Sequence, residues 1–193
     1  MRKENDLQRD LCHSRNVFSQ GFRRNDKLYD IVSTIIDTKS YDFKKYDGNT
    51  LSSGEPLHEM EVCLTIDINM KIHDINAKTV SSPYQICKFA NLNVHKLIGE
   101  VIGPGWKNKI NSLIGGSEGC THVRELMVAM ATVAFQTIYG EKARMKREAL
   151  LKGEVNPLPS KDGPPNLLNS CYAYDQSSEI IKEFWPKYWN KKN

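Results

Sequence analysis

Alternating apolar and polar residues in the first part of the chain are typical of β-strands. Residues 16–37 contain two runs of β-branched and aromatic residues on either side of a polar turn at residues 24–27, which predicts a hairpin. Apolar residues occupy both faces of the second run, which indicates a strand that is at least partly covered on both sides. One of these faces carries Ile31, Ser33 and Ile35.

A second alternating run follows a polar connection at residues 40–56. Apolar residues alternate there with polar partners, which predicts a strand that is buried on one face. The chain is then expected to turn near residues 67–70 and to return as another strand. The alternating apolar residues are Met60, Val62, Leu64, Ile66 and Ile68.

The first helical signal is Pro83, because proline after serine favours the first turn of a helix. We expect this helix to turn its apolar residues towards the core, namely Ile86, Phe89, Ala90, Val94 and Leu97. The glycine-rich segment GPG at residues 103–105 interrupts the chain, and a short helical segment follows it.

The longest apolar stripe, at residues 123–138, has helical spacing and predicts a central buried helix. Polarity rises from Glu141, so the end of this helix is expected to be solvated as far as Gly153. Together with the strands, this pattern predicts an α+β fold. An antiparallel β-sheet from the N-terminal half should pack against a helical C-terminal half with one long buried helix.

A chain of 193 residues has the length of one domain with tails. The pattern predicts an N-terminal tail at 1–13, a single α+β domain at 14–185 and a basic C-terminal tail at 186–193. Inside the domain, residues 153–166 form a loop rich in proline and glycine. Beyond this loop, the segment around Cys171 is expected to return like a strand.

Composition narrows the classes of function. No apolar run reaches the 18 residues that a membrane span needs, and the opening residues lack the apolar core of a secretory signal. A cytoplasmic location without a membrane partner is therefore expected. The five cysteines are an odd, widely spaced set, which indicates reduced thiols. A net charge of +4, with cations spread among acids, does not favour nucleic acid and leaves a protein partner open.

Cys120 and His122 are the sharpest local feature of the sequence. They follow the glycine-rich turn GGSEG at the start of the long helix. The free N–H groups and the positive dipole end of a helix start stabilise a thiolate. An imidazole two residues on could act as a base or share a metal ion. The plainer alternative is a small buried cysteine beside a polar residue of the first turn.

Cys87 and Cys171 lie near the ends of other predicted elements, where they could meet the first pair. Cys87, Cys120, His122 and Cys171 would then form a ligand set suited to zinc or iron. His58 is a candidate to support or replace one of these ligands. In a thiol enzyme, Cys120 would be the nucleophile and His122 the base, with Glu125 or His58 orienting the base.

Five segments resemble, in order and spacing, a bacterial domain-of-unknown-function family numbered 2889. They are DIVSTIIDTKSYDF, PLHEMEVCLTIDINMKI, SPYQIC, LIGEVIGPGW and GGSEGCTHVRELMVAMATVAFQT. The resemblance runs from about Ser14 to Trp185. It implies no established activity, because none is attached to the family.

The resemblance does imply which positions the family emphasises. These are Asp37, His58, Asp67, Cys87, Gly103, Gly105, Trp106, Cys120, His122, Glu125 and Cys171. Where the family pattern has Cys-His-Ala-Tyr, this chain has Cys-Tyr-Ala-Tyr at 171–174, which leaves Cys171 as the donor there.

Three functions are therefore open. The first is a protein that binds zinc or iron through the cysteines and His122. The second is a thiol-dependent enzyme that uses Cys120 with His122. The third is an iron–sulfur or metal scaffold, which rests on a likeness of layout to IscU-type and SufU-type proteins.

Overall fold

The predicted strands form one antiparallel sheet in the computed structural model, which describes residues 7–154 and 167–190. In chain order the strands are β1 (His13–Arg23), β2 (Tyr29–Lys39), β3 (Phe43–Lys44), β4 (Thr50–Leu51), β5 (Pro56–Ile66) and β6 (Ile72–Ser81). The four long strands pair in the order β1-β2-β5-β6. The short strands β3 and β4 form a separate hairpin inside the connection predicted as a loop.

Strict alternation along β2 gives the sheet one buried face. Residues 29, 31, 33, 35 and 37 are buried, whereas the residues between them are half-buried. The inward residues of β5 continue this face beside them. Burial of aliphatic side chains is the dominant favourable contribution to folding, and it also fixes the strand register, because a shift by one residue would expose the whole inward set.

Two α-helices contribute to the same core, α1 (Trp106–Ile114) and α2 (Thr121–Leu151). The apolar stripe of α2 is buried from Val123 to Ile138, and the α+β fold expected from the sequence is confirmed. Trp106 anchors α1, because its indole Nε1–H donates a hydrogen bond to the carbonyl oxygen of Met127 at 2.9 Å. A Cβ atom at Gly21 of β1 would collide with the Thr137 side chain of α2, so glycine permits this close approach.

The segment that begins near Pro83 is a helix of a different period from the one expected. Gln85–Leu97 forms a 3-10 helix, which we call the rim helix. With three residues per turn, side chains three apart lie in one row. The buried row is Asn91, Val94 and Leu97. The exposed row is Ile86, Phe89 and Leu92, at 75%, 68% and 67% exposure. The expectation that Ile86 and Phe89 turn inward is therefore wrong.

The chain divides into two compact units, Met1–Ala143 and Arg144–Asn193. In the second unit a short helix α3 (Glu179–Phe184) begins after Ser178, whose Oγ accepts a hydrogen bond from the N–H of Ile181 at 3.3 Å. The strand-like return expected around Cys171 is wrong, because turns and a 3-10 helix occupy that segment.

Parts of the predicted tails and of the predicted loop lie outside the described residues. They are residues 1–6 of the N-terminal tail, residues 155–166 of the proline- and glycine-rich loop, and residues 191–193 of the C-terminal tail. Within 7–154 and 167–190, no helix combines the length and the apolarity that a membrane crossing requires.

Candidate functional site

A buried aspartate ends the inward row of β2. The side chain of Asp37 is 2% exposed. The strand register sets Arg15 of β1 and His58 of β5 opposite it, so three strands bring a cation, a carboxylate and an imidazole into line. The β2–β5 register shifts between Asp37 and Thr38, an irregularity of the kind that often accompanies a functional site.

Arg15 binds both oxygens of this carboxylate. Its Nε lies 2.7 Å from Oδ1 of Asp37, and its Nη2 lies 2.8 Å from Oδ2. Its Nη1 donates to Oε2 of Glu125 on α2 at 2.6 Å. Burial raises the pKa of Asp37, but the hydrogen bonds and charge of Arg15 outweigh burial and hold that pKa below its ordinary value. Asp37 is therefore an anion at neutral pH. Glu125 is connected to Asp37 by its own ion pair with Arg15.

The glycine-rich turn before α2 brings the chain close to the end of α1. A Cβ atom at Gly119 would lie 2.6 Å from the carbonyl oxygen of Ile114, and one at Gly115 would collide with the carbonyl oxygen of Asn111. These approaches explain why glycine occupies both positions. The turn delivers Cys120 immediately before the helix, where its carbonyl oxygen accepts the first helical hydrogen bond, from the N–H of Arg124 at 3.0 Å.

Cys120, His122 and Asp37 lie in a row. The sulfur of Cys120 is 3.7 Å from Nδ1 of His122, and Nε2 of the same ring is 3.5 Å from Oδ2 of Asp37. The imidazole therefore stands between the thiol and the carboxylate, with one nitrogen towards each. This is the order of groups that nucleophile, base and orienting acid take in enzymes that form covalent intermediates.

The electrostatics of this row favour an ion pair. Burial raises the pKa of Cys120, but the hydrogen bond with His122 and the backbone N–H groups of Val123 and His122 outweigh it, and the pKa is lowered. The hydrogen bond with Cys120 raises the pKa of His122, and the charge of Asp37 adds to this effect. A thiolate beside an imidazolium is thus stabilised at the start of α2.

His58 completes the site from β5. Its ring stacks on that of His122, with centroids 4.0 Å apart, and its Nδ1 lies 3.3 Å from Oδ2 of Asp37. Burial lowers the pKa of His58, and the neighbouring charge of His122 lowers it further. Asp37, His58 and His122 offer ligand atoms within 4.8 Å of one another, a grouping that could hold a metal ion.

The thiol opens into a groove of about 530 Å³. One wall is the start of the rim helix, with Tyr84, Ile86 and Phe89, and the end near the thiol is formed by the turn before α2. A groove of this size is within the range of sites for small molecules. His58 and Cys87 also line it.

The structure brings most of the sequence-predicted site residues together. Cys87, Cys120, His122 and His58 line one groove. Cys171 is exposed and belongs to the second unit, so its membership of the ligand set stays a prediction. The periodic patterns of the sequence indicate no role for Asp37 or Arg15, although the family resemblance emphasises Asp37. A signal was present, because Asp37 continues the inward row of Ile31, Ser33 and Ile35, where a carboxylate needs a partner.

At about pH 6, we expect iodoacetamide to alkylate Cys120 at least about tenfold faster than Cys63. An ordinary thiol with a pKa of about 8.5 is only roughly 0.3% ionised there. The lowered pKa of Cys120 preserves its thiolate until the pH falls through that pKa, whereas burial raises the pKa of Cys63 and keeps it protonated. Peptide mass spectrometry after timed quenching measures both rates.

The control for this experiment is His122→Ala, which should remove the advantage because it removes the hydrogen bond that offsets burial of the thiol. The groups that face the thiol and the ring are His122, Asp37, Arg15 and His58. Equal rates for the two thiols across the acidic range would contradict the expectation.

Comparison with known proteins gives a family and no assigned activity. No curated protein and no solved structure matches the chain significantly. A family model described as "Protein of unknown function (DUF2889)" matches residues 13–136. This range begins at β1 and includes Asp37, His58, Cys120 and His122. Since the match covers more than half of the 193 residues, the chain belongs to the DUF2889 family.

Proposed function

We propose that this protein is a thiol-dependent enzyme that cleaves or transfers acyl groups. Cys120 is the nucleophile, His122 moves the proton and Asp37 orients the ring. The observation that carries the proposal is the row of distances, 3.7 Å from sulfur to Nδ1 and 3.5 Å from Nε2 to the carboxylate. The buried pair with Arg15 fixes the carboxylate end of this row.

The chemistry begins with the thiolate. The sulfur of Cys120 attacks the carbonyl carbon of an ester or thioester, and the bond from that carbon to the leaving oxygen or sulfur breaks. The imidazolium of His122 gives its proton to the leaving group. Water then attacks the acyl-cysteine, its proton passes to His122, and the acyl group leaves as a carboxylic acid while the thiolate is restored.

Each supporting group has a defined part in these steps. Asp37 stabilises the positive charge on His122 and holds the ring in the orientation that serves Cys120. The N-terminal end of α2 favours negative charge on the sulfur and on the carbonyl oxygen as the carbon becomes tetrahedral. His58, with its lowered pKa, presents a neutral ring to the face of the charged one.

The proposal is tested by trapping the acyl-enzyme. Mixing the full chain with p-nitrophenyl butyrate should release about one p-nitrophenol per chain in a rapid burst. Acid quenching and peptide mass spectrometry should then find the butyryl group on Cys120. The Cys63→Ser variant should give the same burst. A label on another thiol, or no label at all, would overturn the proposal.

A metal centre is a second candidate function, supported by the grouping of Asp37, His58 and His122. Nitrogen and oxygen donors of this kind suit zinc or iron. We rank it second because Arg15 already donates hydrogen bonds to both oxygens of Asp37, and a metal ion at that carboxylate would have to compete with them.

Titration with Co²⁺ separates the two candidates. For a metal centre, His58→Gln should weaken Co²⁺ binding at least about tenfold. For the thiol enzyme, the same variant should still acylate Cys120. The cysteine-rich ligand set predicted from the sequence, and with it a scaffold role, requires that Cys87→Ser and Cys171→Ser also weaken Co²⁺ binding.

A further inference from the structure

The rim helix leaves large apolar side chains in solvent beside the candidate nucleophile. Ile86 is 75% exposed and Phe89 is 68% exposed, and both line the groove that holds Cys120. The three-residue period of this helix puts them in one row, so they form a continuous apolar wall. Large apolar side chains gathered in solvent usually mark a place where another apolar surface binds.

Apart from His58 and His122 at the candidate site, the described lining of the groove offers no basic side chain to an anionic ligand. Glu118 is the one aspartate, glutamate, lysine or arginine in that lining. That carboxylate forms an ion pair with Lys96 at 2.8 Å, which holds the pKa of Glu118 below its ordinary value. The lining that comes from the turn and the start of α2 is polar, with Ser117, Thr121 and His122 beside Cys120. The groove therefore has an apolar wall that leads to a polar reaction centre.

We infer that the substrate is an ester or thioester with a hydrophobic acyl group that lies along Ile86 and Phe89. This inference rests on the proposed function, since it places the carbonyl carbon at Cys120. The volume of about 530 Å³ accommodates a small acyl group and does not need a macromolecule. Each additional methylene buried against the wall strengthens binding about threefold to fourfold.

The test is the rate of hydrolysis across a chain-length series. We expect kcat/KM of the full chain to rise about threefold per methylene from p-nitrophenyl acetate through butyrate to hexanoate. A parallel series of N-acetylcysteamine thioesters carries the same acyl groups on sulfur. A rise with chain length in either series supports the inference, and no dependence on chain length in both series would overturn it.

Ile86→Ala and Phe89→Ala should flatten the series, because they should lower kcat/KM for the hexanoate ester much more than for the acetate ester. Leu92→Ala is the matched control, because Leu92 is equally exposed in the same row but is not part of the groove lining. This variant should keep the full dependence on chain length. Since all three side chains are exposed, loss of folding is not expected to confuse the comparison.

Failure of this inference and failure of the proposed function would give different experimental results. If the acetate ester acylates Cys120 as fast as the hexanoate ester, the preference for an apolar acyl group is wrong. The proposal of a thiol-dependent enzyme is then still supported. If no ester acylates Cys120, the proposed function is wrong. Binding of p-nitrophenyl hexanoate to the Cys120→Ser variant, measured by calorimetry, tests the apolar wall independently of acylation. Equal affinity for p-nitrophenyl hexanoate and p-nitrophenyl acetate would overturn the inference.

Discussion

Replacing Cys120 with serine should lower kcat/KM for p-nitrophenyl butyrate by at least about 10³-fold. The thiol is ionised with the help of His122 and the start of α2, whereas a serine hydroxyl ionises at far higher pH and cannot form the same ion pair. Serine is close to cysteine in size, so the turn and the helix start should remain. The rate is measured by steady-state release of p-nitrophenol.

Cys63→Ser is the matched control for this loss. Cys63 is half-buried on β5, and its pKa is raised by burial, so it is not expected to react. It lies opposite Val32 on the face of the sheet that does not carry Asp37 and His58. Retention of most activity in Cys120→Ser would rule out Cys120 as the nucleophile, and a similar loss in Cys63→Ser would mean that the loss is not specific to Cys120.

The sheet and the long helix were predictable because each depends on a local repeat. The inward residues follow a period of two along β2, and they follow the same period in β5 from Met60 to Ile66. The stripe of α2 follows a helical period over several turns. Patterns of this length leave one face that can be buried, so they determine the element type and the face it turns to the core.

The rim helix is an element whose buried face was predicted incorrectly from its apolar pattern. Ile86 and Phe89 fit the inward face of an α-helix, but a helix with three residues per turn puts them in a different row from Val94 and Leu97. The sequence contains no simple signal for the tighter helix. Because Ile86 and Phe89 were expected in the core, the sequence did not indicate the apolar wall that they form in the groove. This wall is the feature that indicates the substrate class.

Only the part of the candidate site formed by residues close together in the sequence was predictable. Cys120 and His122 are two residues apart, so the turn and the helix start are enough to bring them together. Asp37 and Arg15 join them through the strand register and the packing of α2 on the sheet. Such contacts depend on the whole fold, and a pattern of alternating residues does not specify which helix start will lie over which strand.

Replacing Asp37 with asparagine should lower kcat/KM about 10²-fold to 10⁴-fold. The amide keeps the shape of the carboxylate but removes the charge that stabilises protonated His122 and orients its ring. The Asp67→Asn variant is the matched control. Asp67 also pairs with a histidine, His73, at 3.0 Å, but this pair lies on the surface and is not part of the groove lining. Asp67→Asn should leave the activity unchanged, and full activity of Asp37→Asn would contradict the assigned role.

Asp37→Asn should also change stability in a way that depends on pH. Arg15 would lose its buried partner, which should reduce the free energy of unfolding by about 1–3 kcal/mol near neutral pH, because Arg15 is partly exposed and still pairs with Glu125. The folded pKa of Asp37 is lowered, so its contribution is complete above the unfolded pKa of about 3.9 and is lost as the pH falls through the folded pKa. Urea unfolding should therefore show a difference between wild type and variant that is present near neutral pH and shrinks as the pH falls below about 4. A difference that stays constant into strong acid would mean that the carboxylate charge does not stabilise the fold.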